Sequence, residues 1–427
     1  MLRRLDLRGF SGTLVDVLPR PKPGEEGPVA AVQAILADVR GRGDAAVREL
    51  TERFDHVVLD ELRVGAAEIE AAPGSLEPDL RAAVEAAAEG IEDFHRHQLT
   101  DERPYERDGI VIEERHQPVD RAGCYVPGGR AVYPSTVLMT AIPARVAGVR
   151  GVAVCVPPDS SGRVPVVTLA AAAIAGVDEV YRIGGAQAIG ALAFGTESVP
   201  AVDVIVGPGN VYVALAKREV AGIVGVPSAF AGPSEVVVVA DDSTDPALAA
   251  VDVILQAEHG PGGRAWLVTW SESAADAITA EIEAQVDRAP RRDDIRATFE
   301  GGGHVVVCEG PEQAAEVVNL VAPEHLELLN EDPRSLLSLI RHAGAVFCGP
   351  WAPASVGDYI AGPSHVLPTA GSARFSGALT VADFQKDMHV ITLDEAALAK
   401  VAPHVEALAT AEGLFAHAES VRRRRMS

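Results

Sequence analysis

Two short stretches of the 427-residue sequence gather side chains that can hold a cation or move a proton. The first is LQAEHGPGG, where Gln256, Glu258 and His259 crowd the residues before a Gly260-Pro261 stop. A helix leads into it. Asp245-Pro246 reads as an N-cap followed by a first-turn proline, and the apolar run after it has helical length. Gln256 and His259, three residues apart, would share one helix face at the negative end of the dipole, which favours a bound cation. A solvated polar cap would use the same residues. The second stretch is LVAPEHLELLN, at 320–330. Pro323 predicts a helix start with Glu324 and His325 in its first turn. The positive helix end disfavours imidazolium, so His325 is expected neutral, the form a general base needs. A glutamate supporting a helix N-terminus beside an incidental histidine fits this pattern too.

Two glycine turns offer nucleotide chemistry. RIGGAQAIG places Gly184-Gly185 between a strand and a helix, with Gln187 in the first turn. VDVIVGPGNVY places Gly207-Pro208-Gly209-Asn210 at the same kind of junction, where free backbone N–H groups can meet a phosphate or ribose. Neither completes a dinucleotide fingerprint. Tyr212 stands where the third glycine belongs, and no acid follows about 20 residues on. A third loop, RAGCYVPGGRAVYPS, has a flexible turn at Gly128-Gly129 and Ser135 as a candidate helix cap.

The elements that must position these groups read as follows. Residues 1–23 end in PRPKPG, a breaker-rich linker. Helical spacing covers 29–54, broken at Gly41–Gly43, and most of 66–98, broken near Pro73-Gly74. Strands are expected at 109–114 and 117–122. Strands and helices then alternate through 152–220 at about ten-residue steps, the mark of a parallel sheet with crossover helices. EVVVVA, Glu235–Ala240, is too apolar to have a wet face and reads as a strand buried on both sides. Further strands at 264–269 and 304–307, with a helix at 274–286 between them, predict a second α/β unit. A long Gly- and Pro-rich segment, 349–375, carries Asp358 and His365 and reads as a functional loop. The last 49 residues, 379–427, read as a helical arm whose apolar stripe must dock somewhere.

Composition excludes several functions. A formal net charge of −24 argues against a nucleic-acid or anionic-membrane partner, and 4% aromatic content offers no base-stacking surface. Cys124, Cys155, Cys308 and Cys348 lie far apart without CxxC spacing, so free thiols are expected. The N-terminus lacks the apolar core of a signal peptide, and no run of 18 apolar residues occurs. These features predict a cytoplasmic protein.

AGPSEV (231–236), LQAEHGP, YVPGG (125–129), both glycine turns, APEHLE and TVADFQK (380–386) together resemble the histidinol dehydrogenases. The matched motifs run from about Tyr125 to His417. The departures, Gly262-Gly263 and Gly377, remove no functional group. The resemblance implies two incomplete Rossmann-like parallel-sheet domains, one inserted in the other. The first would comprise 24–124 and 236–378, the second 125–235, with a small N-terminal segment and a C-terminal arm swapped in a homodimer. It implies oxidation of L-histidinol to L-histidine with NAD and Zn2+. Tyr125, Gln187 and Asn210 would contact NAD, and Gln256, His259, Asp358 and His417 would hold zinc. The same four residues, with Ser234, His325, His365 and Glu412, would surround the substrate. Glu324 and His325 would be the two bases. No local spacing assembles those four zinc ligands. The residues themselves leave open a relative acting on another polar alcohol, a zinc hydrolase with Glu324 as base, and a non-catalytic metal-binding scaffold.

Overall fold

The structure, a computed structural model, describes residues 2–19, 28–101, 103–128, 131–227, 234–260 and 262–425. Residues 20–24 of the linker, Gly129, 231–233 of AGPSEV and Pro261 lie outside the described residues. The strands, in chain order, are β1 (Arg3–Asp6), β2 (Tyr105–Arg107), β3 (Ile110–Pro118), β4 (Arg121–Tyr125), β5 (Gly151–Cys155), β6 (Glu179–Tyr181), β7 (Val204–Val206), β8 (Glu235–Ala240), β9 (Arg264–Thr269), β10 (Gly303–Val307), β11 (His325–Leu328), β12 (Ala345–Cys348) and β13 (Gln385–Leu393).

Two parallel sheets organise them, as the alternation of strand and helix requires. The larger runs β1-β10-β9-β8-β11-β12 and the smaller β6-β5-β4-β7. The chain enters the larger sheet with β1, builds the whole smaller sheet, and returns with β8. Helices cover both faces of each. On the larger sheet, Val236, Val238 and Leu267 pack under the helices Pro246–Ala257 and Glu272–Arg288. Val237, Val239 and Leu326 pack on the opposite side, with Val317 and Val318 of the helix Pro311–Val321. The central strand β8 is buried along its whole length, as its unbroken apolar run predicts.

Several expectations change. Residues 24–124 were grouped with the larger sheet, but their helices cover the smaller one. Val32, Leu36, Val39, Val47 and Leu50 pack with Tyr181 and Ile189, while Val84, Ala88 and Ile91 pack with Leu138 and Leu169. An apolar stripe predicts that a helix must dock, without saying on which sheet. The boundary at 124/125 falls inside β4, and the N-terminal segment supplies β1, an edge strand of the larger sheet. A third sheet, β13-β3-β2, is antiparallel and was not expected. It forms where Gln385–Leu393 pairs along its whole length with β3, so the arm begins as a strand before its helices Glu395–Ala411 and Phe415–Arg425. The 349–375 segment contains a short helix, Ala354–Tyr359. Ser135 lies inside the helix Pro134–Val146, whose N-cap position is Tyr133. No helix among the described residues is long and apolar enough to cross a membrane.

His304 on β10 is buried and stacks on Trp266, with ring centroids 4.4 Å apart. Burial, reinforced by Arg3 and Arg264, pushes its pKa from 6.5 down to about 4 despite the Gly302 carbonyl at Nδ1. Between those values the unfolded chain binds a proton that the native fold refuses. Stability is therefore fully present above pH 6.5 and falls as pH drops toward 4, by on the order of 3 kcal/mol at most. Urea midpoints measured from pH 7.5 to 4.5 should show this loss, and His304→Gln should flatten it.

Candidate active site

The amino ends of the larger sheet and the carboxyl ends of the smaller one enclose a cavity of about 620 Å³, whose wall includes Ser234, Gln256, His259, Glu324, His325, Asp358 and His365. Ser234 stands just before β8. Gln256 is buried in the last turn of the helix Pro246–Ala257, whose start is capped by Asp245 accepting from the Ala247 N–H. That helix ends at Ala257, so His259 follows in the turn rather than sharing a regular helix face.

Glu324 and His325 are not in a helix start. The preceding helix ends at Val321, Ala322 takes a left-handed conformation with φ 51°, and His325 opens β11. The dipole argument for a neutral imidazole therefore falls, and the local carboxylates replace it. The Glu324 Oε2 accepts from the Glu235 N–H at 2.9 Å and lies 3.7 Å from His325 Nδ1. His325 Nδ1 faces the Glu235 carbonyl at 3.3 Å, and Nε2 faces Asp358 Oδ1 at 3.3 Å. Burial raises the Glu324 carboxyl above its usual range. Burial alone would depress His325, but Glu324 and Asp358 outweigh it and push the imidazole up. Asp358 would likewise rise with burial, and the surrounding His325, His365 and His259 hold it low instead.

His365 is held by two partners. Its Nδ1 donates to the Asp358 carbonyl at 3.0 Å, which leaves Nε2 to accept from the Thr136 hydroxyl at 3.2 Å. Burial depresses its pKa and keeps the ring neutral. Thr136, from a helix of the smaller sheet, was not found in the sequence, because a threonine inside an apolar helix carries no signal of a partner so far along the chain.

A second cavity of about 560 Å³ is lined by Tyr125, Gln187 and Asn210, with Phe54, Asp55 and Pro157. Tyr125 ends β4, and its hydroxyl accepts from the Gly185 N–H at 3.1 Å. Gln187 is buried in the first turn of the helix Gly185–Phe194. Asn210 caps the helix Val211–Val220, its Oδ1 accepting from the N–H groups of Tyr212 and Val213. Gly207 has φ +104°, and a Cβ there would collide with the Tyr125 carbonyl. The buried Lys217 amine donates to the Gly207 carbonyl beneath this turn. An acid from another element also lines this cavity. Asp55 ends the helix Asp44–Asp55, and one of its buried carboxylate oxygens has no hydrogen-bond partner. Pro127 and Asn210 belong to the walls of both cavities, so the two are adjacent.

Glu412 and His417 do not line either cavity. Glu412 closes the helix Glu395–Ala411, Gly413 turns the chain with φ +72°, and both side chains are exposed on the arm. Val405, Leu408, Leu414 and Phe415 are exposed beside them. Among the described residues no three His, Cys, Asp or Glu side chains form a metal cluster.

The histidinol dehydrogenase family model matches residues 18–425. This chain belongs to the histidinol dehydrogenase family. It is 52% identical over 394 residues to the histidinol dehydrogenase of Parasynechococcus marenigrum (strain WH8102), covering 92% of this chain and 90% of that one. It is 47% identical over 425 residues to that of Gluconobacter oxydans (strain 621H), covering 98% of both. The crystal structure of histidinol dehydrogenase from Elizabethkingia anophelis superposes with a TM-score of 0.94 at 34% identity, covering 99% of this chain and 98% of that one. The chain is thus an NAD-dependent oxidoreductase that converts histidinol to histidine in histidine biosynthesis.

The Gly207 turn lies at the junction of both cavities, and its strain can be tested. Gly207→Ala adds about 1–3 kcal/mol of backbone strain at a closed site, so KM for NAD should rise roughly tenfold. Gly222→Ala has a comparable φ of +93° but open space around it, and should leave KM unchanged. Initial-rate kinetics on both variants make the comparison.

Proposed function

We propose that the larger cavity binds L-histidinol, with Gln256, His259, Asp358 and the partner's His417 holding a zinc ion and Tyr125, Gln187 and Asn210 holding NAD. The observation that carries the metal reading is Gln256 Oε1, a buried oxygen without a hydrogen-bond partner, in the same cavity wall as His259 and Asp358. A neutral amide, an imidazole and a carboxylate make a mixed N/O donor set suited to zinc. Three donors leave one position open, and the arm bearing His417 is exposed in the single chain. Zinc would supply a Lewis-acidic anchor for the substrate's imidazole and amine, and NAD the hydride acceptor.

The chain's own residues then divide the proton work. In the first half-reaction the alcohol carbon loses a hydride and its hydroxyl loses a proton, giving the aldehyde. His325 Nδ1 keeps its proton toward the Glu235 carbonyl, so Nε2 is the atom that takes the alcohol proton. Asp358 faces Nε2 in this structure. Asp358 would hold the zinc ion through the same carboxylate, and His325 Nε2 would then be left to serve as the base. In the second half-reaction Glu324 removes a proton from water as the water adds to the aldehyde. Its raised carboxyl pKa fits a base working near neutral pH. The hydrated aldehyde loses the second hydride and leaves as the carboxylate. Ser234 and His365 line the same cavity and would flank the substrate, and the partner's Glu412 would meet its amine. The four free cysteines, three of them buried, fit a reducing cytoplasmic setting.

Two experiments test this reading. Glu324→Gln should impair oxidation of the aldehyde more than of the alcohol, whereas His325→Asn should slow the first step by roughly 10²–10⁴-fold. Half-reaction kinetics that show both variants equally slow in both steps would refute the division. The shared site is tested by mixing His259→Ala with His417→Ala. In a swapped heterodimer one site takes both lesions and the other is intact, so random reassortment should restore roughly a quarter of the activity. Heterodimers shown by mass spectrometry to be inactive would mean that the arm completes its own chain's site.

A further inference from the structure

Beneath the cavity, inside the apolar layer between the helix Pro246–Ala257 and the larger sheet, two carboxyl groups face each other. Asp252 and Glu327 are both buried, with 7% and 0% exposure, and their side chains are in hydrogen-bond contact. Their places in the fold are specific. Asp252 lies four residues before Gln256 on the same helix, hence on the same face one turn down. Glu327 lies two residues after His325 on β11, hence on the same side of the sheet. That side is the one shared with Val236 and Val238, the registered partners of His325 and Glu327. Glu327 Oε1 accepts from the N–H of Ala354 at 3.0 Å. Ala354 opens the short helix that presents Asp358 one turn later.

Two carboxylates cannot donate to each other, and Glu327 Oε2 has no donor near it. With a proton on Glu327 the approach becomes an O–H···O bond to Asp252. Burial favours that protonated form, raising both groups, and pushes Glu327 up to about 9. One side chain thus touches the three separate elements that carry Gln256, His325 and Asp358.

We propose that Glu327 is a positioning residue, a protonated carboxyl that ties the Pro246–Ala257 helix, β11 and the Ala354–Tyr359 helix together so that Gln256, His325 and Asp358 converge on one metal and substrate geometry. It touches neither metal nor substrate. The inference rests on the zinc reading above. Groups behind metal ligands commonly set affinity by 10–100-fold through orientation alone.

The test is zinc affinity of the purified full-length enzyme, measured by competition with a chromogenic chelator, with thermal melting of the metal-free protein as a check on folding. Glu327→Gln keeps both bonds, donating to Asp252 and accepting from Ala354, and should bind zinc within about twofold of wild type. Glu327→Met has similar volume and neither bond, and should bind roughly 10–100-fold more weakly. If the methionine variant does not fold, Glu327→Asp replaces it, since a side chain one methylene shorter cannot reach both partners. Its affinity should fall in the same direction. A folded methionine or aspartate variant that binds zinc as wild type does overturns the proposal, as does a glutamine variant as weak as the methionine one. Wild-type enzyme that binds no zinc would instead defeat the metal reading, before any variant is compared.

Discussion

Glu324 and His325 are an acid and a base removed from water side by side, and the site around them is built to bear that cost. The effective penalty for burying an ion is several kcal/mol unless partners meet it. Here both groups meet Glu235, one through its N–H and one through its carbonyl, so the amino ends of β8 and β11 are locked together. Asp358 meets the far side of the imidazole, and His365 binds the Asp358 carbonyl. The chain from 349 to 375, which reads as a loop, is therefore held against the sheet at His325, the residue that its own Asp358 helps to stabilise. The couplings also shape reactivity: burial lifts the acid, while the neighbouring carboxylates lift the imidazole.

The two parallel sheets contribute opposite ends. The smaller one offers the carboxyl ends of its strands, with Tyr125 closing β4, Gly184-Gly185 following β6 and Gly207 following β7. That edge is where open parallel sheets commonly bind ligands. The larger sheet offers amino ends, with Ser234 ahead of β8 and Glu324 ahead of β11. A pocket made from one edge of each kind brings glycine turns and helix starts against buried acid–base residues. Pro127 and Asn210 stand in the walls of both cavities, so the two lie side by side.

Local physics made much of this legible in the amino-acid sequence. The alternation from 152 to 220 was readable because each strand and helix there is a complete apolar period with its own stop, and the Asp245-Pro246 cap and the buried run of β8 were readable for the same reason. The chemistry-bearing stretches around Gln256 and Glu324 stood out by residue type alone. PEHLELL was misread because a short apolar run after a proline suits a helix start as well as a strand. Pairing of β11 with β8 on one side and β12 on the other decided it, and those partners lie far away in the chain. The β13 strand was hidden similarly, since its mostly exposed residues carry no period and only the pairing with distant β3 makes it a strand.

What only the tertiary structure decided is convergence. The docking of helices 29–97 on the smaller sheet, the arrival of Asp55 in the second cavity, the hydroxyl of Thr136 on His365 and the facing carboxyls of Asp252 and Glu327 all join elements distant in sequence. Hydrophobic periodicity specifies that a face must be buried, because burial depends on area and not on direction of approach. It carries no information about which surface covers that face. Polar contacts between distant elements need distances good to a few tenths of an ångström, and those are set by the packing of whole sheets and helices, which no local spacing of residues encodes.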